Sequence, residues 1–172
     1  MLTDDAALAD RLHALRDHGR VAKAELDGWG YNCRLDNLQA AILDWRLARL
    51  PEWIERRRAL ARVYTAQLKD VGEIGIPVGP DDDPRRHDVF QNYPITTADR
   101  DRLVGHLRDD GIETLISWPI PLHQQKGLGL AHHDLPRTER LCAEVVSLPL
   151  HPELSDDQAS YVASSVRKFF GR

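Results

Sequence analysis

The sequence has 172 residues, 42% of them apolar and 29% charged, with a formal net charge of -4. That length suits one domain with a real core, and the slight acidity gives no global reason to expect nucleic acid or an anionic membrane as a partner. Two cysteines exclude a disulfide framework, no apolar run approaches membrane length, and the polar start carries no signal-peptide pattern, so a cytoplasmic protein is expected.

Thr3 to about Arg20 is predicted as a helix. Thr3, Asp4 and Asp5 supply a cap and first-turn acids, Leu8, Leu12 and Leu15 an apolar side, and Gly19 a stop. Val21 to Gly30 has no clear period and reads as loop. A second helix then starts: Asp36 is a good N-cap, Gln39 completes a capping box, and Leu38, Ala41, Ile42 and Trp45 share one face. Asn32 and Arg34 stand just ahead of that helix, where exposed N–H groups favour anions. The alternative is a capped helix preceded by two solvated polar residues.

The helical pattern runs on to about Asp70. Pro51 interrupts it, and proline inside a helix costs ~3 kcal/mol, which predicts two helices, or one kinked helix, meeting near Leu50-Pro51. Trp53, Leu60, Tyr64 and Leu68 mark one side of the second half. Arg56, Arg57 and Arg58 beside them either grip a phosphate or form a solvated, salt-bridged face.

Val71 to His87 is rich in Gly, Pro and Asp and reads as a linker or long loop, with Asp81-Asp82-Asp83 solvated. Phe90 to Thr97 is predicted as a strand that Pro94 confines to an edge or a bulge. Asp99 to Asp110 has a helical pattern closed by Gly111. Thr114 to Trp118 reads as a short strand, and Pro119 and Pro121 extend the chain after it. His123 to Asp134 is a polar loop whose His132, His133 and Asp134 lack the spacing of a zinc site, so no metal is expected. Pro136 opens a helix through Leu141 and Val145, Val146 to Leu150 is the third strand, and Ser155 with Gln158 caps a last helix buried through Val162, Val166, Phe169 and Phe170. The expected fold class is therefore α/β (α+β). Long connecting helices precede a small, three-stranded, mainly antiparallel sheet with helices on one face.

No nucleophile–base pair or phosphate loop stands out, but several motifs recur in order. They are Leu15-Arg16-Asp17-His18-Gly19-Arg20, Gly30-Tyr31-Asn32-Cys33-Arg34 running into Leu38-Gln39-Ala40-Ala41-Ile42, and Glu52-Trp53 with Arg56-Arg57. Val89-Phe90-Gln91-Asn92-Tyr93, Pro119-Ile120-Pro121-Leu122-His123 and Ser147-Leu148-Pro149-Leu150-His151-Pro152-Glu153-Leu154 follow. Together they resemble the signatures of the DegT/DnrJ/StrS sugar aminotransferases. These are pyridoxal-phosphate enzymes of fold type I that aminate keto-sugar nucleotides for deoxyamino-sugar, surface-polysaccharide or antibiotic-sugar biosynthesis.

The resemblance covers what is the C-terminal half of those proteins. The large domain that carries the cofactor-linking lysine precedes it there, and none of Lys23, Lys69, Lys126 and Lys168 sits in that lysine's motif. Implied divisions are 1–35, an edge of the large domain; 36–70, connecting helices kinked near Pro51; 71–88, a linker; and 89–172, the small α/β domain. The resemblance implies no catalytic residue in this chain. It implies that Asn32 reaches the cofactor phosphate of a partner subunit, and that Arg34 helps hold substrate or phosphate in the same site. His123 becomes a candidate sugar-nucleotide contact, the alternative being a histidine that packs its loop. Ser117-Trp118 replaces the family's usual His-Tyr, and Trp118 keeps an aromatic surface for a sugar or base. Pyridoxal 5'-phosphate is not expected to bind this chain alone. The expected partner is a second copy in a homodimer or a full-length paralogue. Two classes of function follow: part of a sugar aminotransferase, or a non-catalytic interaction and dimerisation domain derived from one.

Overall fold

A computed structural model describes residues 2–130 and 132–172. Met1, heading the opening segment, and Ala131, within the predicted loop from His123 to Asp134, lie outside the described residues. The elements are α1 (Ala6–Arg16), β1 (Arg20–Ala22), β2 (Glu25–Leu26), α2 (Asn37–Leu47), α3 (Leu50–Leu68), β3 (Tyr93–Thr96), α4 (Arg100–Asp109), α5 (Pro136–Glu144), β4 (Val145–Leu148) and α6 (Asp156–Phe169). They fall into two compact units, Met1–Arg49 and Leu50–Arg172.

In the first unit α1 is shorter than its apolar pattern. Asp5 is the N-cap, its carboxylate accepting from the Leu8 amide at 3.1 Å, and Thr3 lies outside the helix, bonding the Asp5 amide. The helix ends at Arg16 because His18 and Gly19 both take positive φ, 61° and 80°, which no helix can continue. The segment predicted as loop contains the β1–β2 hairpin, closed by a two-residue turn at Lys23-Ala24. Three residues are too few to show a period, so the pairing was invisible locally. Asp36 and Gln39 form the capping box that starts α2.

The second unit holds the core. β3 and β4 pair antiparallel, Tyr93 opposite Leu148 and Ile95 opposite Val146, and these four side chains are buried on one face. Leu60, Tyr64 and Leu68 of α3, Leu103 and Leu107 of α4, and Val162 and Val166 of α6 cover that face. The tyrosine hydroxyls are satisfied within it. Tyr64 donates to the Pro149 carbonyl at 2.7 Å, and burial pushes its phenol pKa well above the ordinary value.

The class is the expected mixed α/β one, but the sheet has two strands instead of three. Thr114 to Trp118 contributes only an isolated bridge, Leu115 opposite Ser147. Its register would next pair residue 113 with Pro149, which has no N–H, and residue 117 with Val145, whose N–H already bonds the Leu141 carbonyl at the end of α5. The outer edge of β3 stops in the same way. Gly75 bridges Thr96, and the next pair in register would set Pro77 against Pro94.

The arginine run of α3 is neither a phosphate grip nor a solvated face. Arg56 donates to the Leu154 carbonyl and pairs with Asp156 at 2.7 Å. Arg57 reaches the carbonyls of Gln91 and Leu150 at 2.8 and 3.0 Å. Arg58, buried, holds those of Asp88 and Pro80 at 2.8 and 2.9 Å. Loop carbonyls that the sheet cannot satisfy have taken these donors. Residues 71–88 carry no helix or strand yet are fastened throughout. Asp81 pairs with Arg62, Asp82 accepts from the Gly79 amide, and Asp83 pairs with Arg85.

Candidate functional site

Two of the residues singled out in the sequence meet in the first unit. The loop after the hairpin returns along the C-terminal end of α1 and satisfies carbonyls the helix leaves open: the Tyr31 amide donates to Leu15 at 2.7 Å and the Cys33 amide to Arg16 at 2.9 Å. Two glycines make this approach possible. A Cβ on Gly30 would sit 2.1 Å from the Gly19 nitrogen, and one on Gly19 would sit 2.0 Å from the Gly28 oxygen. The two motifs around Gly19 and Gly30, separate in sequence, are therefore one structure.

On this loop Arg34 Nε donates to Asn32 Oδ1 at 3.3 Å, and Arg34 Nη1 lies 3.4 Å from Asp17 Oδ1. A guanidinium can only donate, so the Asn32 amide turns its oxygen to Arg34 and keeps both N–H bonds for another acceptor. An amide donor and a cation held side by side, both exposed, suit the oxygens of a phosphate. The sequence pattern did not point to Asp17. It lies 17 residues before Arg34 in the chain, and only the fold sets the two side by side.

Trp118 and His123 lie in the other unit, so the structure brings the four candidates together as two pairs. Trp118, 62% exposed, lines a cleft of about 440 Å³ with Ile120, Leu122, His123, Leu135 and Cys142. A 3-10 turn at Leu122–Gln124 presents His123 inward, where it is buried with Nε2 2.9 Å from Glu139 Oε1. Glu139 also accepts from the Leu135 amide at 3.4 Å. The His123 bond first, and this amide second, hold its carboxyl below the usual range. The cleft is thus apolar-walled, with an aromatic lip and a histidine whose ring is committed to a carboxylate.

No group of three side chains among the described residues could hold a metal ion, and no helix among them is long and apolar enough to cross a membrane.

The model of the DegT/DnrJ/EryC1/StrS aminotransferase family matches residues 1–167. The chain belongs to that family. It is 40% identical over 176 residues to the dTDP-3-amino-3,4,6-trideoxy-alpha-D-glucose transaminase of Streptomyces venezuelae, covering 100% of this chain and 45% of that protein. It is 37% identical over 174 residues to the pleiotropic regulatory protein of Geobacillus stearothermophilus, covering 99% and 46%. The structure superposes on S. venezuelae DesV in complex with a ketimine intermediate, with a TM-score of 0.87 at 38% identity over 99% of this chain and 46% of DesV. It also superposes on NtdA of Bacillus subtilis with bound cofactor PMP, with a TM-score of 0.80 at 30% identity over 96% of this chain and 41% of NtdA. The chain thus spans about half the length of the relatives it matches.

DegT-family aminotransferases are pyridoxal-phosphate enzymes. In this family member Asn32 and Arg34 suit the cofactor's phosphate. Its four lysines do not suit the cofactor's carbonyl carbon, because all are exposed and none lines the Trp118 cleft.

Proposed function

We propose that this chain supplies the C-terminal portion of a pyridoxal-phosphate-dependent aminotransferase that aminates a keto-sugar nucleotide, working as a dimer. The observation that carries this reading is the Asn32–Arg34 pair, set on a loop locked by Gly19 and Gly30. It is a preformed phosphate-oxygen site in a chain without a lysine placed to carry the cofactor. Pyridoxal phosphate, when bound, supplies the electron sink for transamination. Asn32 then donates its amide N–H bonds to a phosphate oxygen of the neighbouring subunit's site. Arg34 neutralises charge there or on the substrate. Trp118 offers its ring to the sugar or base from the apolar cleft, and His123, tied to Glu139, shapes that cleft from behind.

The test is a fusion of this chain behind the large domain of a close relative, assayed for transamination of a keto-sugar nucleotide. Arg34→Ala in the fusion removes a charge-assisted hydrogen bond worth about 1.5–3 kcal/mol, so binding of substrate or cofactor weakens roughly tenfold to a hundredfold. Asn32→Ala acts mainly on cofactor retention. Arg34→Ala subunits are then mixed with subunits lacking the cofactor-linking lysine. Each mixed dimer has one site with both defects and one with neither, so part of the activity returns. If mixed dimers form and nothing returns, the two residues act within their own subunit. A well-folded fusion without any activity favours the other class of function, an interaction domain that catalyses nothing.

A further inference from the structure

Asp17 closes α1, and an acid there faces the negative end of the helix dipole, a position that disfavours it. Its surroundings offset this: Arg34 Nη1 is 3.4 Å and Arg20 Nη1 is 3.7 Å from its carboxylate oxygens. The oxygen facing Arg34 is shut off from solvent and has no aligned hydrogen bond. The Asp17 backbone is bridged to Asn32. The arrangement is a relay, carboxylate to guanidinium to amide.

We propose that Asp17 is the positioning residue of this site: its carboxylate holds the Arg34 guanidinium, and through it the Asn32 amide, in the orientation that receives a phosphate monoester. The inference rests on the reading of Asn32 and Arg34 given above and adds what aims them. Arg34 is a long, exposed side chain. Without an anchor it samples many rotamers, and Asn32 loses the donor that orients its amide. A partly exposed ion pair with no aligned hydrogen bond contributes little to stability, so stability is the wrong readout.

The experiment is nuclear magnetic resonance on the full 172-residue chain, labelled with nitrogen-15, comparing wild type with Asp17→Asn and Asp17→Glu. In Asp17→Asn the Arg34 Nε–H exchanges with water at least about fivefold faster and the Asn32 side-chain amide shifts toward its free position, while the backbone amides of Gly19, Gly30 and Cys33 stay in place. Asp17→Glu recovers part of the protection. An unchanged Arg34 Nε–H in Asp17→Asn overturns the proposal. So do backbone amides that move as far as the side chains, since Asp17 would then merely hold the loop together. Titration with inorganic phosphate tests the underlying reading separately. Saturable shifts at Asn32 and Arg34 that vanish in Arg34→Ala support it. If phosphate moves neither residue while Asp17→Asn still frees Arg34, the relay stands and the phosphate reading falls.

Discussion

Glu139 accepts from two groups at once, the buried ring of His123 and the Leu135 amide, and so ties the start of α5 to the 3-10 turn behind the Trp118 cleft. Because these bonds hold its folded carboxyl below the ordinary value, the tie is complete above the usual glutamate range and is lost as pH falls through the lower, folded value. The expected outcome is that the Leu135 amide loses hydrogen-exchange protection, its rate taken relative to the unprotected rate at each pH, on acidification before the core strands do. In Glu139→Gln the amide exchanges faster already at neutral pH and that acid step is gone. A Leu135 amide indifferent to both changes would show that the cleft wall is set by packing alone. Neither His123 nor Glu139 announces this pairing in sequence. A histidine after Pro-Leu and a glutamate early in a helix are each ordinary until the chain sets them 2.9 Å apart.

Among the elements, α3 does most of the fastening. Successive residues on a helix point about 100° apart, so Arg56, Arg57 and Arg58 fan out over two loops: Arg56 reaches the one between β4 and α6, Arg58 the one before β3, and Arg57 both. Arg58 is the buried member. Arg58→Met leaves the Pro80 and Asp88 carbonyls without donors and is expected to destabilise the second unit by about 3 kcal/mol in urea unfolding. Arg58→Lys should recover little, because one ammonium cannot span two carbonyls as a fork does. A loss within the range of ordinary surface substitutions would sink this account. The same helix shows which features were legible. Caps written within four residues, at Asp36–Gln39 and Ser155–Gln158, are present as read, and Pro136 opens α5. The carbonyls the arginines reach lie 22 to 98 residues away, beyond any local pattern. The third strand fails for a similar reason: whether Thr114 to Trp118 can pair depends on the N–H inventory of β4.

At the scale of the molecule the two units differ in kind. The second has a continuous core; in the first, among the described residues, no side chain is buried, and Gly19 alone is enclosed. Leu38, Ile42 and Trp45 lie along one side of α2 and are about half exposed or more, and Trp29 is 98% exposed. Trp53, in the second unit, is half-buried in α3. Apolar surface left open in this way drives association. The isolated chain is expected to sediment as concentration-dependent oligomers and to bind an apolar dye, and Leu38→Glu with Ile42→Glu should shift it toward monomer. A clean monomer at high concentration with no dye bound would count against it.

The core of the second unit joins helices that are far apart in the chain. α3 packs on α6, and Arg56–Asp156 and Arg167–Asp70 clasp them. Translation makes the first of these helices long before the second. While residues 69 to 155 are being added, Leu60, Tyr64 and Leu68 have no Val162 or Val166 to cover them, and at about 5–20 residues per second that interval lasts several seconds. The nascent chain therefore presents a sticky helix to solvent for as long as α6 is inside the ribosome. A chaperone that reads exposed leucine and tyrosine would find α3 first and release it only when α6 arrives.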